Sequence, residues 1–120
     1  MMSDRPLRVL VVEDEWLIAR DYVANLEAAG HVAVGPVATV RGALALLDSE
    51  LVDLAVLDFR LVDETSSLVA QRLTERAIPF AVVTGHARTD LPPEFNAGEF
   101  VAKPADERSL IAALDRLAAG

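Results

Sequence analysis

The 120-residue sequence has no cysteine, few aromatic residues (5%), and 11 Lys and Arg against 19 Asp and Glu. Without cysteine, the chain can form no disulfide, thiolate metal site or thiol nucleophile. Its formal charge of −8 disfavours direct nucleic-acid binding, which needs phosphate contacts from Lys and Arg. No apolar run approaches the length of a membrane span, and residues 1–6 contain no apolar signal region. We therefore expect a cytoplasmic protein that binds neither nucleic acid nor a membrane.

The residues that are present, 52% of them apolar, form five short apolar runs that alternate with helix-length amphipathic segments. The predicted strands are residues 7–12, 31–36, 52–58, 80–84 and 100–102; the predicted helices cover about 16–29, 40–47, 66–76 and 107–117, with a loop over 60–65. This alternation predicts parallel strands joined by right-handed crossovers, with helices on both faces of the sheet. We expect an α/β fold with a doubly wound, five-stranded parallel sheet. It forms one domain over residues 1–120, of which residues 1–6 are a loose tail.

The segment between the fourth and fifth predicted strands, residues 85–98, is less regular. Its Pro92-Pro93 pair cannot lie inside a regular helix, so any helix here is short. Leu91 and Phe95 are its chief apolar anchors. We expect residues 86–96 to be the most mobile ordered part of the domain and to transmit the response to phosphorylation; the alternative is a rigid surface loop stiffened by the two prolines. Trp16, at the other end of the chain, is expected to pack at the start of the first helix.

Polar residues stand at the ends of four of the five apolar runs. Glu13 and Asp14 follow the first strand, Asp58 ends the third, Thr84 ends the fourth and Lys103 follows the fifth. Because the carboxyl ends of parallel strands meet at one edge of a sheet, we expect these side chains to converge. Three crowded carboxylates repel one another unless a cation neutralises them. With only oxygen ligands available, Mg²⁺ is the natural cation.

A hydroxyl and an ammonium group in the same cleft are donors for an anionic group. A metal, Lys103 and Thr84 around the nucleophilic carboxylate of Asp58 therefore predict a site for a phosphoryl group on Asp58. Each residue alone has a plainer interpretation: Asp58 can simply end a strand, Thr84 can be an ordinary β-branched residue, and Lys103 can be a surface lysine. Their joint occurrence at successive strand ends favours the phosphoryl site.

Four stretches of the chain resemble the receiver domains of two-component response regulators, and the resemblance covers essentially the whole sequence. They are Val11-Val12-Glu13-Asp14-Glu15, Leu57-Asp58, Val83-Thr84-Gly85 and Phe100-Val101-Ala102-Lys103-Pro104. The resemblance implies a flavodoxin-like (βα)5 fold with strand order 2-1-3-4-5. It also implies a signalling domain that catalyses only its own phosphorylation and dephosphorylation. Residues 78–85 look especially like those of small stand-alone receivers.

The resemblance also implies a role for each site residue. Asp58 would receive a phosphoryl group from a histidine kinase or a phosphotransfer protein, and the domain would then contact a downstream protein that the sequence does not name. The implied Mg²⁺ ligands are Glu13, Asp14, Asp58 and the backbone carbonyl of Arg60. Thr84 and Lys103 would contact the phosphoryl oxygens, and the Lys103–Pro104 peptide bond would be cis.

Three further positions have two interpretations each. Phe100 occupies the position of the family's rotameric switch, which works together with Thr84, but a core phenylalanine is an equally simple interpretation. Arg60 and His86 stand two residues after Asp58 and Thr84, respectively, and are either solvent-facing residues or neighbours of the phosphoryl group.

Departures from the family pattern leave two other functions open. Val62 and Ser66 stand where most receivers have proline and glycine, and Pro92-Pro93 shortens the fourth helix. One alternative is a receiver-like docking module that works without phosphorylation. The other is a Mg²⁺-dependent phosphohydrolase with an aspartyl nucleophile, but such enzymes place a second acid two residues after the nucleophile, where this chain has Arg60.

Overall fold

The computed structural model describes residues 5–120, and residues 1–4 of the predicted N-terminal tail lie outside the described residues. The strands are β1 (Arg8–Val12), β2 (Val32–Val37), β3 (Leu54–Asp58), β4 (Arg60–Leu61), β5 (Glu64–Thr65), β6 (Phe80–Thr84) and β7 (Glu99–Ala102). The helices are α1 (Trp16–Ala28), α2 (Val40–Ser49), α3 (Ser67–Glu75) and α4 (Glu107–Ala119).

Five of the strands form one parallel sheet in the order β2-β1-β3-β6-β7. Counted among these five alone, the order is 2-1-3-4-5, which confirms the predicted doubly wound topology. The central strands β3 and β6 are buried along their whole length. Such burial is expected for parallel strands that are covered by helices on both faces. The carboxyl ends of β1, β3, β6 and β7 therefore open onto the same edge.

The helices divide into two layers, one on each face of the sheet. One layer consists of α2 and α3, and its buried side chains include Ala43, Leu47, Val69, Ala70 and Leu73. The other consists of α1 and α4, and its buried side chains include Tyr22, Leu26, Leu110, Ala113 and Leu114. Over residues 5–120, no helix has both the length and the apolar composition needed to cross a membrane.

Residues 60–65, predicted as a loop, form a small antiparallel hairpin instead. Arg60 of β4 pairs with Thr65 of β5, and Leu61 pairs with Glu64. Asp63 in the turn has a φ of 60°, a left-handed conformation that Asp adopts more readily than most residues. Leu61 is buried in the core. Strands of two residues are too short for a periodic pattern, so this hairpin could not be read from the sequence.

The start of α1 also differs from the prediction, because Trp16 is 66% exposed rather than packed. The guanidinium group of Arg20, one turn later, lies 5.1 Å from the centroid of the Trp16 ring. Such a surface cation–π contact is worth about 0.5–1 kcal/mol. The sequence predicted one apolar face formed by Ile18, Tyr22, Leu26 and Ala29. Tyr22 and Leu26 are buried and Ile18 is half-buried, but Ala29 lies exposed just beyond the end of α1.

The segment between β6 and β7 contains two single-turn 3₁₀ helices, Arg88–Asp90 and Pro93–Phe95, and no longer helix. This agrees with the limit that the two prolines impose. Leu91 and Phe95 are both buried, and Phe95 is fully so. The Phe95 ring meets the Phe59 ring edge-on, with 5.2 Å between their centroids, so the segment is anchored next to the end of β3.

Candidate functional site

The carboxyl edge of the sheet gathers the polar residues that end the strands. Glu13 extends the β1–β2 ladder by one residue, because its amide donates to the Val37 carbonyl at 3.0 Å. Glu13, Asp58 and Thr84 are each 2–4% exposed, although all three are polar. Carboxylate oxygens of Glu13, Asp14 and Asp58 lie within 4.8 Å of one another. The edge therefore concentrates negative charge in a largely buried place, which is unfavourable without a cation.

Lys103 brings a positive charge to this cluster from the end of β7. Its Nζ atom is 2.9 Å from Asp58 Oδ1 and 3.8 Å from Glu13 Oε1. Partial burial lowers the pKa of Lys103, but the hydrogen bond to Asp58 and the charges of Asp58, Glu13 and Glu15 outweigh it and raise the pKa overall. The backbone fixes this position, since the Lys103 amide donates to the Thr84 carbonyl at 3.0 Å. The Lys103–Pro104 peptide bond is cis.

The environment of the Glu13 carboxylate shows that Lys103 alone does not neutralise the three acidic side chains. The Glu13 Oε2 atom accepts a hydrogen bond from the Glu15 amide at 3.1 Å. The pKa of Glu13 is raised from 4.5 to about 8, mainly by burial and also by the neighbouring Asp14 and Asp58, while the hydrogen bond from the Glu15 amide opposes the rise. The buried Oε1 atom of Glu13 has no hydrogen bond among the described residues, and the Lys103 ammonium lies 3.8 Å from it. Such an atom among three carboxylates fits a small divalent cation that takes only oxygen ligands, and Mg²⁺ is such a cation.

The raised pKa of Glu13 predicts how the metal-free protein responds to pH. Between pH 4.5 and about pH 8, the Glu13 carboxyl group keeps its proton in the folded protein, whereas the unfolded chain has already released it because the ordinary pKa is 4.5. In a buffer with chelator, the free energy of unfolding should therefore fall as the pH rises through this range. Urea denaturation at several pH values measures the slope, and Glu13→Gln should flatten it. An equal slope in the Glu13→Gln variant would contradict this assignment.

Thr84 is held by His86, which the sequence suggested only as a possible neighbour of the site. The Thr84 hydroxyl oxygen accepts a hydrogen bond from the His86 amide at 3.0 Å and lies 3.2 Å from His86 Nδ1. The His86 ring also meets the Phe59 ring edge-on, with 5.6 Å between their centroids. The structure thus places His86 beside Thr84 at the rim of the cluster.

Arg60 and Phe100 lie farther from the carboxylates. The exposed guanidinium of Arg60 is 6.0 Å from the centroid of the Phe59 ring, and within residues 5–120 it forms no ion pair with Asp58. Phe100 is half-buried against the core, and the guanidinium of Arg88 lies 4.4 Å from its ring centroid. Its position suits both the packing and the switch interpretation, so the switch remains a prediction.

Ser66 was predicted only as a departure from the family pattern, yet it contacts the backbone of the site. Ser66 is fully buried, and its hydroxyl donates to the Asp58 carbonyl oxygen at 2.7 Å. The only signal in the sequence was a hydroxyl residue in a position where glycine is usual, and this does not reveal the direction of the hydroxyl.

Comparisons with known proteins identify the family and the fold. The model of the response regulator receiver domain family matches residues 9–115. The solution structure of SdrG from Sphingomonas melonis Fr1 is 36% identical, with a TM-score of 0.80 over 93% of this chain and 96% of that one. The crystal structure of the response regulator PhyR from Brucella abortus is 28% identical, with a TM-score of 0.81 over 94% of this chain and 48% of that one.

Curated relatives are longer than this chain. The transcriptional regulatory protein PdtaR of Mycobacterium tuberculosis is 28% identical over 118 residues, which cover 92% of this chain and 56% of PdtaR. The TorCAD operon transcriptional regulatory protein TorR of Escherichia coli is 28% identical over 93% of this chain and 50% of TorR. The chain therefore spans about half the length of the curated relatives it matches. With a family model that covers nearly all of its sequence, this chain belongs to the response regulator receiver domain family.

Proposed function

We propose that Asp58 accepts a phosphoryl group from a histidine kinase or a phosphotransfer protein in a Mg²⁺-dependent reaction, and that the domain then signals through protein contacts. One observation carries this proposal. The Asp58 carboxylate is 4% exposed, lies 2.9 Å from the ammonium of Lys103, and shares its cleft with the carboxylates of Glu13 and Asp14. A structural aspartate at a strand end has no need for two further acids and a lysine around it.

The metal would be held by the side chains of Glu13, Asp14 and Asp58, together with the backbone carbonyl of Arg60. These groups offer only oxygen, and Mg²⁺ binds through a few such ligands while it keeps several waters. When bound, the ion would neutralise charge on the incoming phosphoryl oxygens.

The chain's own residues would carry the transfer. An oxygen of the Asp58 carboxylate attacks phosphorus, the bond between phosphorus and the donor histidine nitrogen breaks, and its electron pair returns to the imidazole. Lys103 balances the carboxylate before transfer and donates to a phosphoryl oxygen afterwards, as a charge-assisted hydrogen bond. Thr84 would give up its contact with His86 Nδ1 to donate its hydroxyl to another phosphoryl oxygen.

Incubation with acetyl phosphate, a small phosphodonor, tests the proposal without the unknown kinase. With Mg²⁺ present, intact-mass spectrometry should detect one added phosphoryl group per chain, and peptide analysis should locate it on Asp58. With excess EDTA, no phosphoryl group should be added. Modification that is unaffected by EDTA, or that occurs on another residue, would reject the proposal.

No contact within residues 5–120 specifically favours the two alternative functions, a Mg²⁺-dependent phosphohydrolase and a docking module that works without phosphorylation. Position 60, where an aspartyl phosphohydrolase places its general acid, is occupied by an exposed arginine. A docking module that works without phosphorylation would be favoured only if acetyl phosphate left Asp58 unmodified.

Lys103→Ala is expected to leave the fold intact and to weaken the response to phosphorylation. Loss of the 2.9 Å contact with Asp58 should lower the free energy of unfolding by about 1–2 kcal/mol, less than for a fully buried pair, because Lys103 is partly solvated. Amide NMR spectra before and after addition of beryllofluoride, a phosphoryl mimic, measure the response. Lys103→Arg, which keeps the charge, is the matched control. A full spectral response in Lys103→Ala would show that Lys103 is merely structural.

A further inference from the structure

Ser66 forms hydrogen bonds with the backbone of Asp58 and Phe59, and so closes the segment of residues 59–65 into a loop. The Ser66 hydroxyl donates to the Asp58 carbonyl oxygen at 2.7 Å and lies 3.3 Å from the Phe59 carbonyl oxygen. The Ser66 amide donates to the same Phe59 carbonyl at 2.9 Å. One residue therefore binds two consecutive carbonyls across the base of the β4–β5 hairpin.

The direction of this hydroxyl is unusual for its place in the chain. Ser66 is the N-cap residue of α3, yet its side chain makes no capping hydrogen bond to the helix. An N-cap serine commonly accepts a hydrogen bond from an amide of the first turn, which is worth about 1 kcal/mol. Here the hydroxyl points back to Asp58, so helix capping does not explain it.

Ser66 also connects Asp58 to a rigid element. Its carbonyl accepts a hydrogen bond from the Ala70 amide at 3.0 Å, which makes it continuous with α3. That helix is fixed to the sheet by Val69, Ala70 and Leu73, none of which is exposed. The peptide after Asp58 is therefore attached to a packed helix rather than to a free loop.

The far side of the hairpin is fixed as well. The Glu64 Oε2 atom accepts a hydrogen bond from the Val40 amide at 3.1 Å, at the start of α2. Leu61 is buried beneath the hairpin. The hairpin that contains Arg60 is thus held by hydrogen bonds at both ends, those of Ser66 at its base and of Glu64 near its turn.

From this geometry we infer that Ser66 is a positioning residue for the Mg²⁺ site. Its hydroxyl fixes the peptide that joins Asp58 to Phe59, and so orients both the Asp58 carboxylate and the backbone carbonyl of Arg60. The inference deepens the proposed function and rests on it for the identity of the metal. Groups that orient metal ligands from behind typically change metal affinity by about 10–100-fold when they are removed.

Ser66→Ala removes the hydroxyl and little else, and Thr74→Ala is its matched control. Thr74 lies on the same helix and donates its hydroxyl to the Ala70 carbonyl at 2.9 Å, away from the site. Calorimetric titration with Mg²⁺ should give a dissociation constant about tenfold higher for Ser66→Ala and an unchanged one for Thr74→Ala. In metal-free protein, hydrogen exchange of amides 59–66 should become faster in Ser66→Ala only. Ser66→Gly, which carries the family's usual residue, gives a second variant that also lacks the hydroxyl.

A Mg²⁺ dissociation constant within twofold of the wild type, in whichever Ser66 variant folds, would overturn the inference. Unchanged exchange of amides 59–66 would overturn it as well. The hydrogen-exchange measurement needs no metal. It therefore still tests whether the Ser66 hydroxyl fixes the backbone of residues 59–66, even if the wild type fails to bind Mg²⁺. A wild type that binds no Mg²⁺ would instead count against the proposed function.

Discussion

Asp58→Asn is expected to abolish phosphorylation by acetyl phosphate. Asparagine keeps nearly the same shape, but its amide is not a nucleophile and carries no negative charge. Asp58 is also the carboxylate that the Lys103 ammonium contacts directly, at 2.9 Å. The expected loss is complete, because neither Glu13 nor Asp14 has this close contact with the lysine.

The matched control is Asp63→Asn. Asp63 lies five residues later in the hairpin turn and is exposed, and its φ of 60° is one that asparagine also adopts readily. This variant should be phosphorylated to the same extent as the wild type, as measured by intact mass after equal incubation. If Asp58→Asn still gained a phosphoryl group, another residue would be the acceptor and the proposed function would be wrong.

Among residues outside the α-helices and strands, Phe95 is expected to lower the free energy of unfolding most when it is replaced by alanine (Phe95→Ala). Phe95 is fully buried and packs edge-on against Phe59, one residue after Asp58. Truncation of a buried phenylalanine costs about 3–5 kcal/mol, which is a large part of the roughly 5–15 kcal/mol that stabilises a typical domain. Urea denaturation measures the change.

Asn96→Ala, at the exposed neighbouring residue, is the control and should change the free energy of unfolding by less than about 0.5 kcal/mol. Hydrogen exchange adds a local measurement, because loss of the Phe95 anchor should speed exchange across residues 86–96. A Phe95→Ala variant as stable as Asn96→Ala would mean that the segment is held by other contacts. The response to phosphorylation that we predict for residues 86–96 would then not depend on Phe95.

The sequence by itself determined the sheet and the residues at its edge. The strands that end at Asp58 and Thr84 are continuous apolar runs, and such runs have only one favourable place in an α/β domain, the interior of a parallel sheet. Burial then forces the first polar residue after each run to the same edge. Local pattern was sufficient because each of these strands is specified by its own side chains.

Local pattern also gave the limits of the irregular segment, where Pro92-Pro93 excludes a long helix. It gave the wrong environment for Trp16, because a large aromatic side chain at a helix start is consistent with both packing and exposure. In the folded protein the Trp16 ring lies on the surface, with the guanidinium group of Arg20 5.1 Å from its centroid.

Only the tertiary structure decided the electrostatics and the hydrogen bonds at the carboxyl edge of the sheet. The raised pKa of Glu13 depends on burial and on Asp58, which is 45 residues away in the chain. The direction of the Ser66 hydroxyl depends on where the β4–β5 hairpin returns relative to β3. A sequence specifies which groups a residue carries, but electrostatic and hydrogen-bond energies depend on distances between residues that are far apart in the chain. These distances are set when the helices pack on the sheet, and the cluster of Glu13, Asp14 and Asp58 and its supporting contacts follow from them.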